Sequence, residues 1–414
     1  MNSDSLLVPT ITKSERVIGH IKHQSEDFIV CEKIDENHIL DPRIETYNLP
    51  GKKGLFLHFV LIKNNIDTSV ALDWISNLWK VERNDLSIAG TKDKRAFTAQ
   101  RVSLWGVKRR YEEGNLKEIT LPKIKTKSFC FRIKDIRLGD LWGNAFDITI
   151  RRIPTEATII QSNLETKIRE INDFGYLLNS FGQQRFGKIR PITHLVGEKL
   201  LLGEVREALK IYVGKSYGTE SQEALDARKL YWETENPQDV LKIIPDQMHI
   251  EKKILKYLQK HKNYERVFLS LPLQFQKLFI HAYQAYIFNK YLKIRYNEYS
   301  KNLCEPLSGE KNMDNISYAP LIGNKTELTG QSKEIYLKIL ENEEVSLHDF
   351  KRSLAVKLGS RGSYRALGMK VHNLQINDVA EDELNPGKFK ANLSFELRKG
   401  SYATEVLKEI LSQS

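Results

Sequence analysis

Residues 89–100 read AGTKDKRAFTAQ and join two predicted strands through a charged turn. Gly90 permits a tight turn at the strand end, which would lift the following residues clear of a sheet. Three cations surround Asp93 in the sequence: Lys92, Lys94 and Arg95. Nearby cations favour an ionised carboxylate, which could act as a nucleophile or a base. From this chemistry alone, an Asp that only hydrogen-bonds its own turn remains the favoured interpretation.

Alternating strands and helices are predicted on both sides of this turn. Residues 54–62 (GLFLHFVLI) are typical of a buried strand, and three apolar side chains should share one face: Leu55, Leu57 and Phe59. Asp67 and Thr68 provide a helix N-cap, and apolar residues then recur at helical spacing: Ala71, Trp74, Ile75 and Leu78. Further strands are predicted at 86–89, 98–105, 127–136 and 145–152, with a helix at 157–173.

The second half of the chain changes character. Helices dominate from about 196 to 298, and the pattern favours three of them: Val196–Ile211, Ile250–His261 and Phe275–Arg295. Residues 301–331 are rich in Asn, Gly, Ser and Pro, which indicates irregular connections. A final strand, Ala391–Leu397, and a helix starting near Ser401 would complete the N-terminal sheet. We therefore predict a domain inserted at 188–358 within a discontinuous domain of residues 1–187 plus 359–414.

Composition limits the class of protein. The 414 residues are 41% hydrophobic and 28% charged, which is typical of a folded globular chain with two or more domains. No window approaches the ~20 apolar residues of a membrane helix. The first residues have neither a basic nor an apolar leader region, so we expect a cytoplasmic protein. Three scattered cysteines are expected to be buried thiols without a disulfide framework: Cys31, Cys130 and Cys304.

Charge favours a polyanionic partner. The chain has 64 Lys and Arg against 53 Asp and Glu, a formal charge of +11. Such an excess suits phosphate neutralisation, although by itself it is weak evidence. Neither HxxxH nor HExxH occurs, and no GxGxxG follows a predicted strand, so neither a metal ion nor a nucleotide cofactor is expected.

Six segments, in order along the chain, resemble the motifs of the TruD pseudouridine synthases. The turn GTKDKRA resembles the family's G-x-K-D turn, which carries the essential aspartate, in a form similar to archaeal and eukaryotic members. The other five are KHQSEDF (22–28), GDLWGNAF (139–146), NSFGQQRFG (179–187), HAYQAYIFN (281–289) and KGSYAT (399–404). The resemblance spans residues 22–404, with poor matches at 205–270 and 300–355. Any one motif is moderately specific, whereas all six in order are strong evidence.

This resemblance implies a fold and an activity. The fold would be α+β, a catalytic domain built on a mixed, mainly antiparallel sheet with flanking helices and interrupted by a helix-rich TRUD domain. The implied reaction converts uridine to pseudouridine in tRNA, at position 13 in the D-arm region, without a cofactor or metal. The implied partner is tRNA or other structured RNA, with no membrane and no obligatory protein partner.

The resemblance also implies roles for individual residues. Asp93 would be the catalytic carboxylate, and three residues would line the uridine pocket: Phe28, Asn144 and Tyr402. Phe146 lies two residues beyond Asn144, and a strand's period of two would aim both side chains the same way. Lys22 is a candidate to pair with Asp93 or with a phosphate. For the aromatic residues, plain core packing is the alternative.

Some departures and alternatives stay open. Ser180 replaces the family's usual tyrosine, which puts that residue's packing or RNA contact in doubt, and Tyr402 adds a hydroxyl that could act as an acid or base. Arg185 could contact RNA or brace the domain junction, and bracing is the favoured role, whereas Arg365 could contact phosphate or be structural. The chain could also be an inactive TruD-like RNA-binding protein or an unrelated RNA enzyme. The joint presence of Asp93, Asn144 and Phe28 argues against the inactive alternative.

Overall fold

A computed structural model describes residues 8–187 and 189–412. The chain forms two compact units. One comprises Thr10–Leu177 and Met369–Ser414, and the other comprises Leu178–Gly368 together with Val8 and Pro9. The chain enters the second unit at residue 178 rather than the predicted 188 and leaves it at 368 rather than 358.

The first unit is built on a large sheet. The strands of this unit are β1 (Val17–Ile18), β2 (Phe28–Lys33), β3 (Ile39–Leu40), β4 (Phe56–Asn64), β5 (Leu86–Ile88), β6 (Phe97–Leu104), β7 (Thr120–Leu121), β8 (Ile124–Arg132), β9 (Gly143–Ile153), β15 (Val371–Glu381), β16 (Phe389–Arg398) and β17 (Leu411–Ser412). Strands β1 and β17 pair in parallel with each other, outside the large sheet. Ten strands form the sheet in the order β15-β16-β9-β2-β6-β4-β8-β7, with β3 beside β2 and β5 beside β6. Two short strands lie where the chain passes between the units: β10 (Leu177–Leu178) and β14 (Gly368–Met369).

The strand directions confirm the predicted fold class. Strands β2 and β6 pair in parallel, with Ile29 opposite Phe97, whereas their other neighbours in the sheet are antiparallel. The sheet is therefore mixed and mainly antiparallel. The predicted closing strand is confirmed as β16, which pairs with β9 and places Leu397 opposite Asn144.

Four helices accompany this sheet: α1 (Thr68–Trp79), α2 (Lys108–Glu112), α3 (Ala157–Phe174) and α13 (Ala403–Ile410). Two of them, α3 and α13, bury apolar side chains in one core with β9 and β16, including Leu164 and Val406. Helix α1 packs in a second core with β4 and β6. Each fully buried aliphatic side chain contributes about 1.5–3 kcal/mol through removal from water.

The predicted apolar faces need a correction at three residues. Leu57 and Phe59 are buried in β4, but Leu55 precedes the strand and is 53% exposed. In α1 the buried residues are Ala71, Leu72, Ile75 and Trp79, whereas Trp74 and Leu78 are 39% and 54% exposed. The helix begins where Asp67 accepts a hydrogen bond from the Ser69 backbone N–H, as the capping prediction required.

The second unit is mainly helical. Its helices are α4 (Thr193–Leu202), α5 (Val205–Gly214), α6 (Gln222–Thr234), α7 (Pro237–Ile243), α8 (His249–Lys260), α9 (Tyr264–Leu269), α10 (Leu273–Ile294), α11 (Gly330–Asn342) and α12 (Ser353–Lys357). The helix predicted at Val196–Ile211 is two helices, because Gly203 adopts a left-handed φ of 82° and ends α4.

A small antiparallel sheet was not predicted in the second unit. Its strands are β11 (Lys311–Met313), β12 (Ile316–Leu321) and β13 (Ser363–Ala366), in that order. Two of them fall within residues 301–331, where irregular connections were expected. Across the described residues, no helix is long and apolar enough to span a lipid bilayer.

Candidate active site

The charged turn at residues 90–95 leaves the sheet between β5 and β6 and is held by buried polar groups. The Gln100 side-chain amide donates to the Gly90 carbonyl at 3.0 Å. The Thr68 hydroxyl accepts from the Lys92 backbone N–H at 3.2 Å and lies 3.3 Å from the Lys92 carbonyl. Both supporting side chains are buried, so they hold the turn from beneath.

Asp93 lies at the outer end of this turn, between two lysines. Its side chain is 40% exposed, and its Oδ1 lies 3.2 Å from Lys22 Nζ. The Asp93 backbone carbonyl accepts from Lys63 Nζ at 2.5 Å, and the same amine donates to the Ile66 carbonyl at 3.0 Å. One cation therefore neutralises the carboxylate, while the other holds its backbone.

Lys63 is fully buried, and this environment changes its acidity. Burial disfavours the charged amine and lowers the pKa of Lys63 to about 8, against the opposing attraction of Asp93. An amine in such a position needs acceptors, and the carbonyls of Ile66 and Asp93 supply them.

Of the three cations that flank Asp93 in the sequence, Lys92 points away from its carboxylate. Lys92 turns inward, and its Nζ lies 2.9 Å from Glu32 Oε2 in a pair that is almost completely buried. Lys94 and Arg95 are exposed, and Arg95 donates to the Lys22 backbone carbonyl at 3.2 Å. The cation beside Asp93 is thus Lys22, which comes from a distant part of the sequence.

One predicted pocket aromatic, Phe28, lies beneath Lys22, and a second, Phe146, contacts Phe28. The Lys22 amine is 3.8 Å from the centre of the Phe28 ring, which is only 2% exposed. The Phe28 ring meets Phe146 edge-on at 6.3 Å, and Phe146 stacks on Phe395 at 5.2 Å. A continuous set of contacts therefore leads from Asp93 through Lys22 to Phe28 and Phe146, with both rings in the hydrophobic core.

Asn144 lies in β9 two residues before Phe146, opposite Glu32 of β2 and Leu397 of β16. Its Oδ1 atom is buried and has no hydrogen-bond partner among the described residues. A buried acceptor in this state costs free energy unless a ligand donates to it. The position therefore suits recognition of an N–H group.

Tyr402 lies at the start of α13 and is 43% exposed. Gly139, in the loop before β9, links the segment that carries Tyr402 to the charged turn. The Gly139 N–H donates to the Ala89 carbonyl at 2.8 Å, and Lys399 Nζ donates to the Gly139 carbonyl at 2.7 Å. One backbone and one side-chain hydrogen bond thus link the three motif segments that carry Asp93, Asn144 and Tyr402.

Two residues of this region were not identified from the sequence. Lys63 lies in the apolar run of β4, where an isolated lysine gave the only possible signal. Trp142 lies between two cations, with Lys33 Nζ at 4.4 Å and Arg398 Cζ at 4.5 Å from its rings. No group of three or more His, Cys, Asp or Glu within the described residues is placed to hold a metal ion.

The motifs of the second unit hold each other in place. Asn289 exchanges two hydrogen bonds with the Phe181 backbone, at 2.8 and 2.9 Å. Arg365 Nη2 donates to Asn179 Oδ1 at 2.7 Å, and its guanidinium lies 4.0 Å from the centre of the Phe181 ring. Of the two roles considered for Arg365, these contacts favour the structural one.

Comparison with known proteins agrees with this arrangement of motifs. A family model described as tRNA pseudouridine synthase D (TruD) matches residues 8–315 and 309–410. The chain belongs to the TruD family. It is therefore an RNA pseudouridine synthase, an isomerase.

Similar TruD proteins occur in archaea. The chain is 33% identical to a probable tRNA pseudouridine synthase D of Methanosarcina barkeri, with 97% of this chain and 94% of that protein covered. A probable tRNA pseudouridine synthase D 1 of Methanocaldococcus jannaschii is 34% identical, with 95% and 96% covered. A crystal structure of a TruD protein from Methanosarcina mazei covers 98% of this chain with a TM-score of 0.76 and 31% identity, and 96% of that chain is covered.

Proposed function

We propose that this TruD protein isomerises uridine to pseudouridine in tRNA, at position 13 of the D-arm region, with Asp93 as the catalytic carboxylate. The observation that carries the proposal is the half-exposed Asp93 carboxylate, 3.2 Å from the Lys22 amine on a turn whose backbone is held from below. The TruD relatives are named for tRNA, which supports that substrate.

The proposed reaction rearranges one nucleotide without net loss of atoms. The bond from N1 of uracil to C1′ of ribose breaks, the base rotates, and a bond forms from C5 to C1′. The proton on C5 leaves, and N1 ends the reaction protonated. Asp93 would assist by attacking the sugar or base or by removing a sugar proton, with Lys22 beside it as the counter-ion.

The uracil would be bound by groups around this carboxylate. Asn144 Oδ1 is a buried acceptor that can take the N3–H of uracil, and Tyr402 offers exposed ring surface for stacking. Phe28 and Phe146 would form the floor of the pocket, with the Lys22 side chain shifting to let the base reach Phe28. Exclusion of water by these rings would protect the detached base.

We propose that the protein acts in the cytoplasm. All three cysteines are free thiols. Free thiols agree with a reducing compartment, where tRNA is also found.

Pseudouridine formation on a tRNA transcript tests the proposal directly. Purified protein in EDTA should convert one uridine of the D arm, and Asp93→Asn should abolish turnover because an amide is neither nucleophile nor base. The affinity for tRNA should stay within about threefold, since one carboxylate contributes little to phosphate binding.

Asp85→Asn provides the matched control. Asp85 is an exposed carboxylate just before β5, and its substitution should leave turnover unchanged. An active Asp93→Asn enzyme, or activity that requires a metal ion, would contradict the mechanism. An inactive wild-type protein that still binds tRNA would favour the RNA-binding alternative.

A further inference from the structure

A groove of about 360 Å³ lies in the second unit, between the loop after β12 and the loop before β13. Its walls include Lys325, Thr326, Glu327, Arg361, Gly362 and Tyr364. No residue proposed for catalysis belongs to this groove. Its lining nevertheless combines cations with an aromatic ring, a combination that binds nucleic acid strands.

The two loops that form the groove are locked together by their backbones. The Asn324 N–H donates to the Ser360 carbonyl at 2.6 Å, and the Lys325 N–H donates to the Arg361 carbonyl at 3.2 Å. A Cβ atom on Gly323 would lie 2.2 Å from the Gly362 nitrogen, so only glycine permits this approach. The groove is therefore pre-formed, which reduces the entropy that a ligand must lose on binding.

The charges of the groove favour an anionic ligand. Lys325 and Arg361 line it, and Lys311 lies at its edge with its Nζ 3.9 Å from the centre of the Tyr364 ring. Within residues 8–187 and 189–412, no carboxylate lies at ion-pair distance from these three cations, and Glu327 is the single acidic residue in the lining. The cations thus retain their capacity for phosphate.

Two further groups suit a nucleotide base, one in the groove lining and one in the residue just before it. Tyr364 is 36% exposed, so part of its ring is open for stacking. Asn324, in the same loop as Lys325, has a buried Oδ1 without a partner among the described residues. That atom can accept a hydrogen bond from a base N–H or from a ribose 2′-hydroxyl.

We propose that this groove binds an unpaired nucleotide of the RNA substrate, with the base on Tyr364 and a phosphate between Lys325 and Arg361. The inference rests on the proposed function, because it takes structured RNA as the substrate. The site contributes affinity and leaves the chemistry at Asp93 unchanged. Its loss therefore raises KM for tRNA and leaves kcat unaltered.

Tyr364→Ala tests the stacking contact, with the tRNA dissociation constant and the steady-state kinetics as measurements. We expect Kd and KM to rise about tenfold while kcat stays within about twofold, and Tyr364→Phe to behave as wild type. Arg361→Ala should reduce by about one the slope of log Kd against log salt concentration. A short oligouridine should bind the Tyr364→Ala variant more weakly than the wild-type protein, whereas an RNA duplex should bind both equally.

Tyr257→Ala is the matched control. Tyr257 of α8 is 37% exposed and lines a different groove with three lysines: Lys252, Lys253 and Lys256. Two of these lysines already have partners, since Lys252 pairs with Asp246 and Lys253 donates to the Ser270 carbonyl, so this groove offers less unpaired positive charge to a phosphate. This variant should bind tRNA as wild type does. Unchanged Kd in Tyr364→Ala, or an equal loss in Tyr257→Ala, overturns the inference. If the wild-type protein makes no pseudouridine while the binding results hold, the proposed function alone fails.

Discussion

Lys63 shows how one buried side chain can control the position of a reactive one. Its amine bonds the carbonyl of Asp93 rather than the carboxylate, so it fixes the backbone while the carboxylate remains available to Lys22 and to substrate. A displacement of about 1 Å at a reacting group can cost ~100-fold in rate. Under the proposed function, holding the backbone of Asp93 is therefore a direct contribution to catalysis.

Lys63→Met should lower kcat by about 10–100-fold, because the turn loses both carbonyl contacts while the apolar volume of the side chain is kept. KM for tRNA should stay within about threefold, since Lys63 is buried away from RNA. Single-turnover formation of pseudouridine measures the chemical step. Lys125→Met, an exposed lysine opposite Ile62 of β4, is the control and should leave the rate unchanged.

One kinetic result would contradict this prediction for Lys63→Met. A variant that raises KM and preserves kcat would show that Lys63 supports RNA binding rather than the position of Asp93. A cooperative thermal transition in the variant shows that it folds, so a rate loss then reports on the site.

The residue types at this turn could be identified from the sequence, but the directions in which their side chains point could not. Asp93 is proposed as the catalytic residue because its motif resembles that of a family, whereas nothing in the sequence indicated that Lys92 turns inward to Glu32. Lys63 was missed because a lysine in an apolar run gives no sign of its partners. Tertiary contacts decide these directions, and they come from residues far away in sequence.

At the scale of elements, periodicity located most helices and strands of the first unit, because one face of each is buried. Among the strands that were not predicted are the fully buried β2 and β15, whose sequence VHNLQINDVAE places polar residues on both faces. Strand β15 lies at the end of the sheet and pairs only with β16, so its alternation is weak. Its register also contains irregularities, which disturb the period of two further.

One buried arginine ties several of these elements together. Arg151 of β9 is 4% exposed and bonds Asp27 at 2.7 Å, Asp382 at 2.8 Å and Glu383 at 3.0 Å. Burial opposes its charge, but the hydrogen bonds that it donates to these carboxylates prevail and raise the pKa of Arg151. The cluster joins the segment before β2 to the turn between β15 and β16.

Arg151→Met should lower the free energy of unfolding by about 3–5 kcal/mol, because Asp27 and Asp382 would stay buried without a cation. Urea unfolding followed by circular dichroism measures the change. Arg152→Met is the control, since Arg152 is exposed and bonds only the neighbouring turn, and it should cost no more than about 0.5 kcal/mol. Equal losses in the two variants would contradict a special role for the buried cluster.

At the scale of the whole molecule, the discontinuous organisation followed from the closing strand and helix. The segment NSFGQQRFG was assigned to the catalytic domain by its place in the sequence. In the structure its residues Asn179 and Phe181 bond to Arg365 and Asn289, all within the second unit. Such hydrogen bonds join residues more than a hundred positions apart, so a local sequence pattern cannot locate the boundary between the two units.

Each unit contains a buried histidine that should limit stability in acid. In the first unit, burial lowers the pKa of His58 to about 4, and its Nε2 lies 2.8 Å from the Lys134 carbonyl. In the second unit, burial lowers the pKa of His194 to about 4 as well. Since an unfolded histidine has a pKa near 6.5, the unfolded chain binds protons first as the pH falls. The stability present above pH 6.5 is therefore lost progressively toward pH 4.

At pH 5 the free energy of unfolding should be lower than at pH 8 by about 2 kcal/mol for each of these histidines. His58→Gln should reduce the acid loss in the first unit, and His194→Gln should do so in the second, because glutamine does not titrate. Amide hydrogen exchange at pH 5 and 8, corrected for intrinsic rates, measures the stability of the two units separately, since peptides of β4 report on the first unit and peptides of α4 on the second. The exposed His348→Gln serves as the control. An acid loss that is the same in all three variants would mean that other groups, and not these two imidazoles, set the lower limit of stability.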